Sequence, residues 1–412
     1  MSVNARKEKV FEVELSRWNP SGANPSAEIT LPASPYELED ALEKARITGD
    51  TVYSTEVLSC KLDYLPQFIA PDTNLHELNH LAQRLSSLSA WELDCFEGMV
   101  MMDAVQTQYA PISVERLINM THSTEHSQIA YEAHDDPSLG KFYADNDFVP
   151  ALEDVSDEVY EYLDFGKIGK EMREGEGGVF TPRGYVVQNG EIAAEYHSGD
   201  ALPLEKLDYA VLLQVTKGHF NDPAYDNETA VFLKLPAEDA ALLQAVDAVG
   251  AASPKECVFS AEDCMAPSLT EKISDALYAT EGDCYGLVNE LAEQLRRIND
   301  KHNILSYKAM LAVAPATITL EDSYDLALAV EDFSVIREAA NPASYARFVL
   351  SKYCIEQESE LFASADLDGY GSKLIQEKGI SLTEYGVLWS LTGRTVEQYL
   401  DQPSQSLGME MR

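Results

Sequence analysis

The chain resembles itself at a spacing of about 200 residues, and this similarity constrains its fold more than any other feature. Leu-Pro-Ala at 31–33 recurs at 235–237, in each case between a β-like run and a helical pattern. Further pairs follow in the same order: Asn79 with Asn289, Ile112 with Ile318, 164–169 with 366–371, and Thr181 with Thr383. These matches predict a tandem duplication, in which two copies of one fold share 412 residues.

Within this repeat, the clearest secondary-structure signal is a helix with one apolar face. Leu78, Leu81, Leu85 and Leu88 recur at helical spacing and therefore lie on one side of a helix. The second copy repeats the spacing with another apolar set: Val288, Leu291, Leu295 and Ile298. We expect both helices to bury this face.

The predicted fold class is α+β, an elongated tandem duplication. Each copy has a small α+β subdomain, a helical subdomain and a C-terminal mixed α/β subdomain. In the first copy we expect strands at 10–15, 27–31 and 184–188 and a helix at 36–46. The predicted boundaries are 1–72, 73–122 and 123–195, a linker at 196–206, then 207–278, 279–335 and 336–400, and a loose tail at 401–412.

The second constraint is charge, because 70 Asp and Glu residues face 30 Lys and Arg, a formal net charge of −40. Hydrophobic residues make up 45% of the chain, so it can bury a core and is not a disordered acidic segment. Both halves are acidic, which excludes a single acidic tail. Such a surface repels nucleic acid and attracts basic partners, so we predict a basic partner and no direct nucleic-acid binding.

The remaining composition predicts a cytoplasmic protein with neither a membrane partner nor a cofactor. Six cysteines contain no Cys-x-x-Cys pair and read as reduced residues. Neither a signal peptide nor an apolar run of about 18 residues is found. Nucleotide-binding glycine motifs and nucleophile elbows are also missing from the sequence.

Two strings suggest metal chemistry and compete with simpler interpretations. His76-Glu77-x-x-His80 matches the zinc peptidase pattern, in which two histidines share a zinc ion and the glutamate is the general base. The simpler interpretation is a solvated helix face, because the histidines lie opposite the leucine stripe. Asp366-x-Asp368-Gly with Glu377 partly matches a calcium loop, although position 5 is Tyr370. Its simpler interpretation is a turn between helices.

Clustered carboxylates are the most extensive candidate site. Residues 153, 157, 161 and 164 would line one face of a predicted helix, opposite an apolar face that includes Val159. Like charges at this spacing destabilise a helix, yet the second copy keeps the acidic character, which favours a function. The predicted partner-binding residues are Asp135, Asp136, Asp145, Asp147, Glu153, Asp154, Asp157, Glu158, Glu161, Asp164, Glu356, Glu358, Glu360, Asp366 and Asp368.

Two stretches of the first copy resemble a known family. Residues 157–172, followed by 178–187, resemble the C-terminal motif of the ArdA antirestriction proteins, and Leu78-Asn79-x-Leu81 resembles the Glu-Leu-Asn-x-Leu helix of that family. The Leu-Pro at 31–32 resembles the family's Phe-Pro turn. The resemblance covers most of 10–190, and the second copy departs from it at Ser372-Lys373-Leu374.

The resemblance implies an elongated protein that mimics bent B-DNA and occupies the DNA groove of a type I restriction-modification enzyme. Proteins of this family are carried by conjugative elements and phages, and they dimerise through the C-terminal motif. Two fused copies would form a pseudo-dimer within one chain or associate again as a homodimer. The alternatives are the zinc peptidase and an acidic adaptor or inhibitor of another basic protein.

Overall fold

A computed structural model of the chain describes residues 8–17, 25–49, 51–152, 156–200, 202, 207–220, 226–353 and 364–401, with the backbone alone at 157 and 226–229. The fold is mixed α/β, with about 49% of residues in helices and 19% in strands. All four described sheets are antiparallel and three-stranded. Within the described ranges, no helix combines the length and the apolar character needed to cross a membrane.

The first half, up to residue 200, contains two sheets with the strand orders β2-β1-β3 and β4-β6-β5. Helices α2 to α4 lie between these sheets in the chain. The elements are β1 (Phe11–Arg17), β2 (Ser26–Leu31), α1 (Pro35–Lys44), β3 (Tyr53–Cys60), α2 (Leu75–Ser87), α3 (Ala90–Gln106), α4 (Val114–His122), β4 (Ser127–Ala130), α5 (Asp136–Asp145), α6 (Asp157–Tyr160), α7 (Phe165–Glu176), β5 (Val179–Thr181) and β6 (Gly184–Gln188).

The second half follows the same order, adds a helix after its third strand and another at its end, and has no counterpart of α6 among its described residues. Its sheets have the orders β8-β7-β9 and β10-β12-β11. The elements are β7 (Val211–Lys217), β8 (Asp226–Leu235), α8 (Asp239–Ala248), β9 (Cys257–Cys264), α9 (Thr270–Ala279), α10 (Tyr285–Asp300), α11 (Ile304–Val313), α12 (Leu320–Leu328), β10 (Phe333–Ile336), α13 (Pro342–Ser351), α14 (Leu367–Lys378), β11 (Ser381–Thr383), β12 (Gly386–Ser390) and α15 (Val396–Leu400).

The strands and helices predicted for the first copy are confirmed within one or two residues at most of their ends. Helix α1 begins at a capping box, in which Ser34 accepts a hydrogen bond from Glu37 N and Glu37 accepts one from Ser34 N. The apolar stripes of α2 and α10 are also confirmed, because seven of the eight predicted residues are buried and Leu88 is half-buried. Burial of these faces is the main force that holds each helical layer to its sheet.

The paired asparagines of the sequence repeat make the same contact in both halves. The side chain of Asn79 accepts a hydrogen bond from Ala33 N at 2.7 Å and donates one to Ala33 O at 3.2 Å. Asn289 bonds Ala237 in the same way, at 2.8 and 3.1 Å. The residue before each alanine is a proline with a cis peptide bond. Each asparagine therefore fixes the start of α1 or α8 against the helical layer.

The glycine that recurs near the end of each half is a close-packing point between helices. A Cβ on Gly169 of α7 would lie 1.9 Å from the carbonyl oxygen of Asp136 in α5. A Cβ on Gly371 of α14 would lie 1.8 Å from the carbonyl oxygen of Pro342 in α13. No real side chain fits such a gap, so glycine permits the close approach of the two helices in each half.

The segment that follows β6 is packed rather than free. Tyr196, the first residue of the predicted linker, is 7% exposed, and its N–H and C=O each bond the side chain of Asn119 at 2.8 Å. Ala193 N donates to Ser123 Oγ at 2.9 Å. The predicted linker therefore begins inside the first half's core. We call residues 190–200 the strap, and hydrogen bonds of its main chain anchor it to the side chains of Asn119 and Ser123. Most of 201–206, and the predicted tail from 402 onwards, lie outside the described residues.

Candidate functional site

The carboxylates of the chain lie mainly at its surface. Among the described residues, four acidic side chains are buried: Asp40, Glu77, Asp103 and Asp263. Each has a hydrogen-bond or ion-pair partner inside the fold, as buried charges require. The remaining described carboxylates are exposed or half-buried, so the acidic charge of the described part of the chain is displayed mainly outward.

Two predicted site residues at the start of α5 hold the local structure together. Asp135 caps α5 by accepting a hydrogen bond from Ser138 N at 2.9 Å. Asp136 accepts two hydrogen bonds from Arg173 of α7, at 2.8 and 3.1 Å. The bonds from Arg173 lower the pKa of Asp136, and those from Ser138 lower the pKa of Asp135. Both carboxylates therefore have structural partners.

At the other end of α5, one predicted site residue is paired and the next is open. Asp145 accepts hydrogen bonds from Tyr160 and from Lys141, the latter at 2.9 Å, and these bonds lower its pKa. Asp147 is exposed and has a left-handed backbone, with φ at 60°. It has no hydrogen-bond or ion-pair partner among the residues that the structure describes.

The predicted continuous acidic helix at 152–164 is wrong. The described backbone forms a short 3₁₀ turn at Pro150–Leu152 and only four α-helical residues in α6 before α7 begins. Val159, expected on the apolar face, is 53% exposed. Repulsion between carboxylates and the cap at Asp164, which accepts a hydrogen bond from Lys167 N at 3.1 Å, favour a break at this point. Glu153 and Asp154 lie outside the described residues, as does the side chain of Asp157.

Glu158 and Glu161 remain as exposed carboxylates in this segment. Neither has a partner within the described part of the chain. The exposed ring of Tyr162, at 88%, lies between them and Asp164 in sequence. The acidic segment is therefore an irregular, solvent-facing surface rather than one helical face.

In the second half, Glu356, Glu358 and Glu360 lie outside the described residues. Asp366 caps α14 by accepting a hydrogen bond from Gly369 N at 2.9 Å, and Asp368 is exposed in the first turn. The stretch that matched a calcium loop is therefore the first turns of a helix, and Glu377 pairs with Lys373 at 3.6 Å. The predicted turn between helices is confined to Ala365 and Asp366, which separate the helical Ser364 from α14.

The His-Glu-x-x-His string lies on α2, but its glutamate is already used. The carboxylate of Glu77 accepts hydrogen bonds from Tyr196 Oη at 2.8 Å and from Ser198 Oγ. Glu77 thus fastens the 190–200 strap to α2, which occupies the group that a peptidase would need as its base. No group of three or more His, Cys, Asp or Glu side chains with a metal-binding arrangement occurs within the described ranges.

The prediction that His76 and His80 face solvent is wrong. Both are half-buried, and the Nδ1 atom of each is enclosed with no hydrogen-bond partner among the described residues. The ring of Tyr196 on the strap lies 5.9 Å from that of His80. Burial lowers the pKa of both histidines and of the nearby His122.

The sequence did not predict the strongest polar cluster of the structure, which joins the two halves. Lys308 of α11 is 4% exposed and pairs with Asp40 at 2.9 Å and Glu43 at 2.6 Å, both on α1. Asp40 also pairs with Lys44 at 3.0 Å and accepts a hydrogen bond from Tyr385 at 3.0 Å. We call these five residues the junction cluster.

A second set of bonds lies beside the junction cluster. Asp263, at the end of β9, accepts hydrogen bonds from Ser34 Oγ at 2.7 Å and from Tyr209 Oη at 2.8 Å. Burial raises the pKa of Asp263, and the hydrogen bonds oppose this shift. Tyr36 of α1 donates to the carbonyl of Tyr209 and packs in the hydrophobic core of the second half. Helix α1 is therefore an element of the first half whose outer face is buried by the second.

One signal in the sequence could have revealed this interface. Aligned from the two Leu-Pro-Ala strings, Tyr36 and Asp40 of α1 correspond to Ala240 and Gln244 of α8. Large or charged side chains on one copy of a helix, and small or neutral ones on the other, indicate that only one copy has a contact to make there. The structure agrees, because Ala240 and Gln244 are exposed.

Comparison with known proteins adds no family to this description. No protein-family model matches the chain, and no curated protein matches it. The function is therefore inferred from the charge, the contacts and the internal similarity of the chain itself.

Proposed function

We propose that the chain is a non-enzymatic, DNA-mimicking inhibitor that occupies the basic DNA-binding groove of a defence enzyme, specifically a type I restriction-modification complex. The observation that carries this proposal is a net charge of −40 displayed around apolar cores. Carboxylates would take the place of DNA phosphates against Lys and Arg of the groove. The resemblance of residues 157–187 to the ArdA motif supports the choice of target.

The size of the charge fits a large DNA-binding groove. Duplex DNA carries one charge per ~1.7 Å of axis, so a net charge of −40 matches roughly 70 Å, or about two turns. A basic partner with a small binding site would not need so many charges. The amount of charge thus favours a large groove over a short acidic-peptide site.

The contacts within the fold divide the predicted carboxylates into two groups. Asp135, Asp136, Asp145, Asp164 and Asp366 cap helices or form ion pairs, so they support the fold. The exposed residues without a partner in the described part of the chain are the ones we assign to the partner: Asp147, Glu158, Glu161 and Asp368.

Tandem duplication with three subdomains per copy is part of the proposal. The matched element order, the Asn79 and Asn289 contacts and the glycine packing points support it. The chain would then present two acidic bodies as a pseudo-dimer. Since Ser372-Lys373-Leu374 departs from the motif, we place the main partner contact on the first copy.

The proposal is tested by binding of the purified chain to a type I restriction-modification complex at low and high salt. We expect binding at about 50 mM salt, a steep loss of affinity as salt rises, and competition with duplex DNA. Absence of binding at low salt would reject this target. Binding without competition from DNA would instead favour the acidic adaptor.

A matched pair of variants tests the assigned surface. The triple variant Asp147→Asn, Glu158→Gln, Glu161→Gln should weaken binding roughly tenfold, because each exposed ion pair contributes about 0.5 kcal/mol. The control variant Glu28→Gln, Glu56→Gln, Asp63→Asn removes the same charge from exposed positions in the first subdomain. Equal effects of the two variants would mean that only net charge matters.

A further inference from the structure

A cavity of about 220 Å³ lies at the junction of the two halves and brings three arginines together. Arg17 comes from the end of β1, Arg46 follows α1, and Arg337 follows β10 of the other half. In a chain with 70 acidic and 30 basic residues, a cluster of three arginines is not expected from the composition.

None of the three arginines forms an ion pair with any described residue. Arg17 Nη1 donates instead to the carbonyl of Arg46 at 3.4 Å. The undescribed segment 18–24, which follows Arg17, contains neither Asp nor Glu. Glu338 also lines the cavity but is exposed and pairs with none of the three. No described carboxylate therefore pairs directly with the three arginines, although the charge of Glu384 opposes the lowering of the pKa of Arg46.

Arg46 is the most constrained of the three. It is 5% exposed, and its guanidinium donates to main-chain carbonyls only, including Arg337 O at 2.9 Å and Lys44 O at 2.8 Å. Burial, together with the nearby Arg337, lowers its pKa to about 10. A buried cation without a carboxylate is costly, and an anion in the cavity would offset that cost.

The backbone at Arg46 adds a second cost. Arg46 has φ at 59°, the left-handed conformation that ends a helix most easily at glycine. The corresponding residue after α8 is Gly250, with φ at 69°. The first half thus places a large cation where the second half has the residue that suits the backbone.

The other wall of the cavity also favours negative charge. Ala340 and Ser344 line it: Ala340 precedes the cap residue Asn341, and Ser344 lies in the first turn of the ten-residue helix α13. The positive end of the helix dipole is therefore close to the guanidinium groups. The volume is smaller than that of drug-sized ligand sites, which suits a compact anion.

We infer that this cavity binds a phosphate group, held by Arg17, Arg46 and Arg337 and shared between the two halves. Guanidinium groups match the geometry of phosphate oxygens, and three of them around one small cavity favour a dianion over a single carboxylate. The inference is independent of the proposed inhibitory function. A bound phosphate would also stabilise the contact between the halves, because its ligands come from both.

The test is titration of the full-length protein with inorganic phosphate, in which binding is measured by calorimetry and by broadening of the ³¹P resonance. Adenosine monophosphate and adenosine form a second pair of probes. We expect saturable binding of phosphate and of the monophosphate, none of adenosine, and a rise in melting temperature with phosphate. Adenosine binding without phosphate binding would overturn the inference, as would the absence of saturation at constant ionic strength.

Two variants locate the site. Arg17→Ala and Arg337→Ala should each raise the dissociation constant for phosphate roughly tenfold or more, because each removes charge-assisted hydrogen bonds. Arg46→Ala is avoided as the main test, since its carbonyl contacts support the fold. Lys217→Ala is the control: Lys217 ends β7 as Arg17 ends β1, and it donates to Gly250 O at 2.7 Å. Unchanged phosphate binding in both arginine variants would reject the site.

Discussion

Helices α1 and α8 have the same place in the two halves but different surroundings. Each is ten residues long, follows a cis Leu-Pro bond, and is held by an asparagine of the helical layer. The outer face of α1 is buried against the second half, whereas the matching face of α8 is exposed. The helix fold and the helix contact are therefore specified by different residues.

The difference shows how two helices in matching positions can make different contacts. Tyr36, Asp40 and Glu43 bind the second half, whereas Ala240 and Gln244, the counterparts of Tyr36 and Asp40, lack the phenol and the carboxylate that make these bonds. If α8 kept the anchors of α1, each chain would offer one more docking helix. Head-to-tail contacts of that kind can extend from chain to chain without closing. Because α8 lacks the equivalents of Tyr36 and Asp40, it does not offer a second docking helix of this kind.

The largest expected effect comes from breaking the junction cluster. Asp40→Ala leaves the buried Lys308 with Glu43 alone, and we expect a loss of about 3 kcal/mol in the free energy of unfolding, since an unbalanced buried charge is costly. The matched change in α8, Gln244→Ala, should stay within about 0.5 kcal/mol. Urea unfolding measures both values, and equal losses would show that the two helices do not differ in docking.

The asparagine contacts should be similar in kind in both halves and unequal in size. Asn79→Ala strands a buried N–H and C=O of Ala33, which should cost about 2 kcal/mol. Asn289 is half-buried, so water can replace part of its bonding, and Asn289→Ala should cost about 1 kcal/mol. The exposed Asn299→Ala is the control. If Asn289→Ala left the free energy of unfolding unchanged, the two asparagine contacts would not have the same role.

A smaller effect is expected at single hydroxyl groups. Tyr36→Phe removes the hydrogen bond to Tyr209 O across the junction and should cost about 1 kcal/mol. Tyr285 of the second half has a buried hydroxyl without a partner among the described residues, so Tyr285→Phe should be neutral or slightly stabilising. Thermal unfolding of the two variants measures both effects. If Tyr36→Phe left the stability unchanged, the hydrogen bond from Tyr36 to Tyr209 O would not contribute to the contact between the halves.

The smallest expected effect is the pH dependence of stability, which we expect from buried histidines of the first half and not from an exposed histidine of the second. Burial lowers the folded-state pKa of His76, His80 and His122, so below the unfolded value of about 6.5 the unfolded chain binds more protons. Stability should therefore fall as pH drops below about 6.5, and His80→Gln should flatten this dependence. The exposed His219→Gln in the second half should leave it unchanged. Unfolding curves between pH 7.5 and about 5 provide the measurement.

Local patterns predicted the elements well, and long-range contacts not at all. The leucine stripe of α2 and the Ser34–Glu37 cap follow from spacing within a dozen residues, which a single sequence displays directly. Helical spacing alone predicts an acidic helix at 152–164, but repulsion between its carboxylates and the cap at Asp164 favour a break before α7. The ring that lies against His80 belongs to Tyr196, more than a hundred residues away in sequence, so the local helical spacing does not show that this histidine is half-buried.

The candidate surfaces show the same limit. Carboxylates that cap helices or pair with arginine cannot be told from free ones by counting, and Asp136 with Arg173 is an example. The junction cluster joins positions separated by 265 to 345 residues, such as Glu43 with Lys308 and Asp40 with Tyr385. Only the unequal residues of the two repeated helices hinted at it.

The way Arg46 spans the halves has a consequence for how this chain can change over generations. Its guanidinium recognises carbonyl oxygens of the main chain, which every amino acid supplies, rather than the side chains of Lys44, Arg337 or Glu384. The hydrogen bonds from Arg46 therefore do not depend on which side chains occupy positions 44, 337 and 384. Substitutions of these three side chains would leave the hydrogen bonds from Arg46 to the main chain of both halves in place.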